Sequence, residues 1–327
     1  MPLLLSQRAF TSSPAPLYRF DELRTLGIDP RSGEWIRLRK GVYVERAPFA
    51  KLEPWRRYAV RVHAFVRTNP DAILCLESAA VIHGIPLFGE ARDIHVFEPA
   101  TTSTTRNNDV CFHTSADARM VEVIDGIRVT SIPDTVSDLA RVLPPAKALA
   151  AADAAISAVQ GGRFTIDDLR ARGAHQQSRR GVRLREWVWE HADGRSESPG
   201  ESVSRAVIRW SGFEAPVLQR EFGYESAVDR TDFFFESCGV VGESDGWGKY
   251  DLSDPEAAEA HLRHEKRRED RLRRNGHPMA RWTVSDAWKV DPLCRALFQA
   301  GVRRVQHPHA AFLATLHRSP RELRRPH

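Results

Sequence analysis

Apolar and polar side chains alternate in residues 35–44, where the sequence is WIRLRKGVYV. Alternation with a period of two predicts strands with one buried face, and Gly41 marks a turn between two short strands. A short helix over residues 21–26, ended by Gly27, precedes this hairpin. The helix and hairpin together predict either a truncated winged helix or a small structural cap. On a wing, cationic side chains would meet phosphate, and those available are Arg37, Arg39 and Lys40.

The middle of the chain carries helical and strand patterns in turn. Helices are predicted over residues 52–67, 77–84, 132–143 and 146–159 and after Thr165, and strands over 72–76, 93–97, 110–113 and 127–131. This order predicts an α/β region. We expect no catalytic constellation between Lys51 and His191, and interpret the region as a scaffold or an interaction surface. His83 is a candidate ligand there, although a lone histidine in a last helical turn more often packs as a ring or as a favourable charge.

A polar segment rich in Gly, Ser and Pro, residues 193–200, is the best candidate for a linker. The pattern beyond it predicts one helix, three strands, a long helix, a strand and a closing helix. The predicted ranges are a helix over 201–210, strands near 217–219 and within 227–250, a helix over 255–275, a strand over 279–284 and a helix from Ser285.

Three carboxylates lie at the ends of apolar runs in the two strands predicted within residues 227–250. Asp232 precedes an apolar run of three phenylalanines, and Glu243 and Asp245 follow the next strand. Side chains two apart on a strand share a face, so Glu243 and Asp245 should project together, and Asp232 joins them if the strands pair. Such carboxylates repel one another unless a cation neutralises them, and oxygen ligands suit Mg²⁺. The structural alternative is a hairpin turn at Asp245-Gly246 with Glu243 on a solvated edge.

Charge is unevenly distributed along the 327 residues, although the net charge is only +5. Residues 261–327 contain 16 Lys/Arg and 6 Asp/Glu, and the first 50 residues contain 8 and 5. Basic ends are compatible with a polyanionic partner such as DNA. Within the basic helix of residues 261–274, one face, with Lys266 and Arg267, would meet a phosphate backbone. The alternative is an arginine-rich surface that contacts only solvent.

The four cysteines are scattered and contain no Cys-x-x-Cys pair. This spacing disfavours a zinc ribbon and a disulfide scaffold, and it predicts a reducing cytoplasm as the compartment. No apolar run has the length of a membrane span, and the N-terminus lacks the features of a signal peptide. We therefore expect no membrane association.

The stretch LRTLGIDPRSGEWIRLRKGVYV, residues 23–44, resembles the N-terminal winged-helix segment of the AbiEi family, the antitoxins of type IV toxin–antitoxin systems. The order of elements that follows it is similar to the α/β body of these proteins. The resemblance implies DNA binding, repression of the protein's own operon and a cognate toxin as partner.

From Ser198 onward the chain resembles PD-(D/E)XK nucleases, and more closely the domains related to the very-short-patch repair endonuclease. The motifs stand in the expected order as Glu201-Ser202 with Arg205, Arg230-Thr231-Asp232-Phe233, Glu243-Ser244-Asp245-Gly246, Glu265-Lys266 through Leu272 to Gly276, and Arg281-Trp282-Thr283 with Asp286. The resemblance implies that Asp232 and Glu243 hold Mg²⁺ or Mn²⁺. Glu201 would complete the shell through water, and the ion would activate a water molecule against the scissile phosphate.

Two positions depart from the pattern of these nucleases. The usual lysine two residues after the glutamate is replaced by Asp245, and the position that commonly holds a histidine holds Lys249. Lys249 would neutralise the phosphate or orient water, and its alternative is a solvated lysine in a turn. These departures leave the retention of cleavage open.

The predicted fold is α+β or mixed α/β with three segments: a winged-helix-like segment of residues 1–50, an α/β domain of residues 51–192 and a nuclease-like domain of residues 193–327. The predicted function is a DNA-binding protein with a metal-dependent endonuclease-like domain. The alternatives are a non-catalytic repressor of the AbiEi type and an interaction protein that binds no nucleic acid. The predicted catalytic residues are Asp232, Glu243, Asp245, Lys249 and Glu201, and the predicted nucleic-acid contacts are Arg37, Arg39, Lys40, Lys266 and Arg267.

Overall fold

A computed structural model describes residues 3–100, 103–245 and 255–323 of the chain. The predicted mixture of helices and strands is confirmed, with three separate sheets among the described residues. The chain divides into two compact units. The first comprises Met1–Leu143, Ala154–Ala192 and Ser319–His327, and the second comprises Pro144–Asp153 and Asp193–Arg318.

The first unit contains most of the short elements. In chain order these are α1 (Leu5–Arg8), β1 (Tyr18–Arg19), α2 (Phe20–Thr25), β2 (Trp35–Arg39), β3 (Val42–Glu45), α3 (Arg46–Lys51), α4 (Pro54–Thr68), β4 (Ile73–Leu74), α5 (Leu76–His83), β5 (Ile94–Phe97), β6 (Thr105–Asn107), β7 (Val110–His113), β8 (Val121–Ile124), β9 (Ile127–Thr130) and α6 (Ile132–Val142). Helix α7 (Pro145–Ile156) has residues in both units, and α8 (Ile166–Ala174) and α9 (Val182–His191) return to the first.

The N-terminal hairpin belongs to a small antiparallel sheet of order β1-β3-β2. Its turn places Gly41 at a φ of +75°, a left-handed conformation that glycine adopts without a steric penalty. The apolar side of this sheet packs on α4, in a core that includes Ile36, Val44, Phe49 and Val60.

A six-stranded mixed sheet of order β6-β7-β5-β4-β9-β8 forms the larger part of the first unit. Helices α4 and α5 cover it through a core that includes Tyr58, Phe65, Ile82 and Ile94. Strands β5 and β7 run parallel, with Ile94 paired to Val110. The sequence did not predict β6 and β8, which are the two edge strands.

The second unit is built on a four-stranded sheet. Its elements are α10 (Pro199–Trp210), β10 (Val217–Tyr224), β11 (Ala227–Phe235), β12 (Val240–Asp245), α11 (Pro255–Arg274), β13 (Met279–Thr283), α12 (Val284–Lys289), α13 (Asp291–Ala300) and α14 (Ala310–Leu313). Neighbouring strands β10, β11 and β12 are antiparallel, whereas β12 and β13 are parallel and connected through α11. A parallel pair requires such a crossover.

Both faces of this sheet are covered. On one face Phe233 stacks on Trp282 with ring centroids 5.4 Å apart, and the indole N–H of Trp282 donates to the Ser204 hydroxyl of α10 at 2.9 Å. On the other face Val241 packs against Leu272 of α11. Helix α10 and helix α11 therefore lie on opposite faces of one sheet.

Two segments of the second unit differ from the predictions, although the predicted linker does begin where the two units divide, at Asp193. The segment predicted as a linker is packed, because Ser196 and Glu197 are buried and Ser198 caps α10 by accepting a hydrogen bond from the Glu201 amide. A single closing helix was predicted, but Val290, at a φ of +69°, interrupts it, and the described chain continues as α12, α13 and α14. Local polarity alone did not reveal the tertiary contacts of either segment.

Candidate active site

Asp232 and Glu243 lie at the same level of adjacent strands. The last paired residues of β11 and β12 are Phe233 and Gly242, and the next positions in this antiparallel register are Asp232 and Glu243. The backbone N–H of Ser244 donates to the Asp232 carboxylate at 2.9 Å. Glu243 is only 2% exposed. The sheet thus brings together the two carboxylates that the motifs singled out.

Glu201 is the third carboxylate of this group and stands in the first turn of α10. It is buried, and its carboxylate accepts hydrogen bonds from the Glu197 amide at 2.9 Å and the Ser198 hydroxyl at 2.8 Å. The Gln219 side-chain amide of β10 donates to it at 3.1 Å. These contacts hold the carboxyl group in place without supplying a positive charge.

We use the name carboxylate cluster for Asp232, Glu243, Glu201 and Glu197, of which Glu201 and Glu197 have raised pKa values. Burial, and after it the charge of Asp232, raises the pKa of Glu201 to about 8. Burial also raises the pKa of Glu197, against the lowering effect of Arg230, and Asp232 adds to the increase. Like-charged carboxyl groups in one site favour protonation or a bound cation.

Arg268 of α11 places a positive charge against Glu243. Its guanidinium donates to the Glu243 carboxylate at 2.5 Å and to the Arg230 backbone carbonyl at 2.6 Å. Although burial alone would lower it, the pKa of Arg268 is raised by Glu243. Arg268 therefore neutralises part of the charge that a metal ion would neutralise. The sequence indicated no such role for it, because 25 residues separate the two side chains.

Asp245, the residue in place of the usual lysine, has an arginine partner of its own. Arg281 of β13 donates to its two oxygens at 2.7 and 3.3 Å and also to Glu269 at 3.2 Å. Glu243 and Asp245 are therefore held by different arginines. Lys249, the remaining predicted catalytic residue, lies outside the described residues, as does Gly246 of the proposed hairpin turn.

Gln219 is a site residue that sequence analysis missed. It lies in β10 between Leu218, which pairs with Phe233, and Arg220, which pairs with Thr231. Its φ of +55° interrupts the ladder at the level of Asp232. A glutamine in this conformation typically costs on the order of 1–3 kcal/mol, and such strain is concentrated at functional sites. The local sequence contains no glycine or turn pattern that would have predicted it.

Four of the five residues predicted to contact nucleic acid are exposed, and the fifth is ion-paired. Arg37 and Lys40 are exposed on the N-terminal hairpin. Arg39 instead donates to both oxygens of Asp109 at 2.7 and 3.0 Å, so its guanidinium is engaged within the first unit. Lys266 and Arg267 are exposed on α11.

Similarity to known proteins extends over most of the chain. Two Mycobacterium tuberculosis proteins, uncharacterized protein Rv2248 of strain ATCC 25618 / H37Rv and uncharacterized protein MT2308 of strain CDC 1551 / Oshkosh, are similar to it. Each is 27% identical over 290 residues, a match that covers 88% of this chain and 98% of the relative. The similarity therefore runs through both units. No family model matches the chain, and no solved structure matches it.

The first unit contains a group of side chains that sequence analysis did not single out. His95, Cys111 and His113 converge on its large sheet, although no constellation was expected there. His83, the candidate ligand, is instead buried, and its Nε2 lies 2.8 Å from the Thr130 carbonyl. The pairing of two distant strands, which local sequence does not reveal, brings the three side chains together.

Within the described ranges, no helix combines the length and apolar character needed to cross a bilayer.

Proposed function

We propose that the chain is a DNA-binding protein whose second unit hydrolyses DNA phosphodiesters with Mg²⁺ or Mn²⁺. The observation that carries the proposal is the placement of Asp232 and Glu243 at one level of two strands, with the buried Glu201 close enough to Asp232 for their charges to interact. Burial, and after it the charge of Asp232, raises the pKa of Glu201 to about 8, so two ionised carboxylates are disfavoured there without a cation. A divalent cation with oxygen ligands suits such a site.

The order of elements around the cluster supports the same proposal. Helix α10 carries Glu201, β11 carries Asp232, β12 carries Glu243, and α11 leads to β13. This is the order in which the motifs of PD-(D/E)XK nucleases are expected. It relates the cluster to the proposed nuclease domain, whereas a chance group of surface carboxylates would have no such order.

Each residue of the site would have its own role in the reaction. Asp232 and Glu243 would hold the ion, and Glu201 would contact it through water. When bound, the ion would supply an activated water molecule and stabilise charge on the phosphate. Arg268 must then move from Glu243 or share it, and its guanidinium would be available to donate to a phosphate oxygen. Gln219 orients Glu201 through the 3.1 Å hydrogen bond.

Cleavage of supercoiled plasmid and of single-stranded DNA with Mg²⁺ or Mn²⁺ tests the proposal. The isosteric variants Asp232→Asn and Glu243→Gln should lose about 10³-fold or more of the rate, since a bound ion contributes several kcal/mol to the transition state. Glu221→Gln, an exposed carboxylate of β10 in the same unit, is the matched control and should cleave as the wild type does. Cleavage that persists in both site variants contradicts the proposal.

A second candidate function, a non-catalytic DNA-binding regulator of the AbiEi type, has an observation in its favour. Arg268 is ion-paired to Glu243, and Arg281 to Asp245, in the place where a lysine is usual. A guanidinium in the site would replace the cation. DNA binding without cleavage by the wild type, together with Mn²⁺ binding that appears only in Arg268→Ala, would favour this function. A cognate toxin would then be the expected partner.

The N-terminal hairpin would bind the phosphate backbone in either function. We assign this contact to Arg37 and Lys40, which are exposed, and not to Arg39, which binds Asp109. The double variant Arg37→Ala/Lys40→Ala should weaken DNA binding and reduce its salt dependence, because fewer counterions are released. Binding that is absent at low salt in the wild type would instead favour the interaction protein. We place the protein in the cytoplasm, since its four cysteines are free thiols.

A further inference from the structure

Three potential metal ligands, named the His-Cys-His cluster, converge on the large sheet of the first unit. The cluster consists of His95, Cys111 and His113, and one ligand atom of each lies within 4.8 Å of the other two. Strands β5 and β7 are parallel neighbours, with His95 paired to Cys111 and Phe97 paired to His113. Cys111 and His113 are two apart and therefore share a face of the sheet.

The side chains of His95 and His113 are hydrogen-bonded to each other. His95 Nδ1 and His113 Nε2 are 2.8 Å apart, with ring centroids separated by 5.1 Å. A hydrogen bond between two imidazole nitrogens requires that one of them offers a lone pair to the other. A metal ion can take the place of that shared proton and accept electron pairs from both nitrogens.

We propose that His95, Cys111 and His113 form a metal site for Zn²⁺ or a similar transition-metal ion, separate from the carboxylate cluster of the second unit. Imidazole and thiolate are ligands of Zn²⁺, whereas Mg²⁺ selects oxygen ligands. Three protein ligands leave the fourth tetrahedral position for water or an exogenous ligand. His95 is buried, and Cys111 and His113 are partly exposed, so the open position faces the accessible side.

The distances require only a small rearrangement. Zn–N bonds of about 2.0–2.1 Å and a Zn–S bond of about 2.3 Å place tetrahedral ligand atoms roughly 3.3–3.6 Å from one another. The nitrogen pair at 2.8 Å must open slightly, and the widest separation, at most 4.8 Å, must close by about an ångström. Rotations of side chains on two adjacent strands are sufficient for this.

Glu77 is placed to give the supporting contact that metal-binding histidines usually have. Its buried carboxylate lies 3.3 Å from His95 Nε2, on the side of the ring opposite the cluster. Metal-bound histidines commonly donate their second N–H to such a carboxylate. Arg321 donates to Glu77 at 2.5 and 2.7 Å and to His95 Nε2 at 3.0 Å, so Nε2 accepts in the metal-free protein. With a metal ion on Nδ1, Nε2 would instead carry the proton and donate it to Glu77. The carboxylate and the histidine are thus fixed before an ion binds.

Titration of the metal-free full-length protein with Co²⁺, followed by displacement with Zn²⁺, tests the proposal. A thiolate-to-cobalt charge-transfer band should appear with one equivalent bound and disappear when Zn²⁺ is added. Mg²⁺ should leave the band unchanged, and the oxygen ligands of the carboxylate cluster produce no thiolate band, so this test is independent of the proposed nuclease. Absence of the band in the wild type overturns the proposal.

Variants locate the site. Cys111→Ser should abolish the band, and His113→Gln should weaken or abolish it. Cys238→Ser, which removes an exposed thiol of the second unit, is the control and should retain it. Glu77→Gln should weaken Co²⁺ binding by about 10–100-fold, as loss of a supporting partner typically does. A band that survives both Cys111→Ser and His113→Gln, or that Cys238→Ser removes, contradicts the assignment.

Discussion

Glu201 is buried among hydrogen-bond donors and like charges, and this environment determines how its protonation depends on folding. Around it are Glu197, Asp232, Ser198 and Gln219, from α10, its preceding segment and the two neighbouring strands. A glutamate in an unfolded chain has a pKa of about 4.3, while the pKa of Glu201 in the folded protein is about 8. Between these values the folded state binds the extra proton. Stability therefore decreases as the pH rises from about 4.3 to about 8.

Replacing Glu201 with glutamine should remove this dependence. Relative to the wild type, Glu201→Gln should gain free energy of unfolding as the pH rises from 5 to 8, by at most about 1.4 kcal/mol for each pH unit. Urea denaturation of the metal-free proteins at several pH values measures it, with Glu221→Gln as the exposed control. Parallel pH profiles for wild type and Glu201→Gln would show that Glu201 is ionised in the folded protein.

At this scale the sequence singled out Asp232, Glu243 and Glu201 but neither Glu197 nor the partners of these carboxylates. Asp232, Glu243 and Glu201 could be named because strand and helix periodicity, with the motif order, restricts where they lie. Arg268 and Gln219 could not. The first contacts a carboxylate 25 residues away, and the second owes its role to a backbone conformation that its residue type does not favour.

Helix α11 has a side that contacts the sheet and an exposed side among its described side chains. Arg268 and Arg271 reach the sheet, where Arg271 donates to both oxygens of Asp229 at 2.6 Å. Lys266 and Arg267 are exposed instead. Helical pairs of the expected i,i+4 kind also occur, such as Arg273 with Glu269. Neighbouring basic residues of α11 therefore differ in their surroundings, because some contact the sheet and others are exposed.

The exposed pair on α11 gives a prediction for DNA binding. Lys266→Ala/Arg267→Ala should lower the affinity and reduce the slope of log K against log[salt] by up to about 1.8, since each phosphate contact contributes about 0.9. Fluorescence anisotropy at several salt concentrations measures the slope. Lys289→Ala/Arg303→Ala removes the same charge from elsewhere in the second unit and should have a smaller effect. Equal effects of the two double variants would indicate an attraction by net charge alone.

Strand β12 has no room for a side chain at Gly242. A Cβ there would lie 2.7 Å from the Trp282 ring and 3.1 Å from Phe233 Cβ. Gly242→Ala should therefore destabilise the protein by about 1–3 kcal/mol, as overpacking of a core does. Gly223→Ala in β10, where a Cβ meets nothing within 4 Å, should change stability by less than about 0.5 kcal/mol. Thermal denaturation of both variants compares them directly, and equal melting temperatures would refute the steric argument.

Sequence patterns predicted the buried elements better than the exposed ones. The inner strands β5, β7 and β9 have apolar residues that face a core, so their pattern is visible. The edge strands β6 and β8 show little of it, since all three residues of β6 are exposed and in β8 Val123 is 68% exposed while Ile124 packs against the core. These strands are defined by their hydrogen bonds to a neighbouring strand, and the local pattern of hydrophobic residues does not predict such bonds.

At the scale of the whole molecule, residues far apart in the chain complete the first unit. Arg321 holds the buried Glu77, and backbone hydrogen bonds join Arg92 to Arg321 and Leu323 to Glu90. Burial alone would raise the pKa of Glu77, but His95 and Arg321 outweigh it and lower the pKa to about 2. This carboxylate therefore stabilises the fold above the pKa of an unfolded glutamate, and the contribution is lost as the pH falls towards 2.

Removing the Arg321 guanidinium should lower the free energy of unfolding, since Glu77 would stay buried without its charge partner. Arg321→Ala should destabilise the first unit by about 3–5 kcal/mol near neutral pH, because it leaves a buried charge without its partner. The difference from wild type should shrink as the pH falls and Glu77 becomes protonated. Chemical denaturation followed by signals from each unit measures it, with the exposed Arg318→Ala as control. A pH-independent loss of stability would point to lost packing instead of lost charge.

The contact between Arg321 and Glu77 also has a consequence for biosynthesis. The two residues are separated by 244 positions, and the intervening chain includes the whole of the second unit. A ribosome must therefore translate the second unit before the first can receive Arg321. Domains generally fold as they emerge, so the second unit can complete its own folding while the first still waits with Glu77 unneutralised. The first unit, whose translation begins first, therefore completes its folding last.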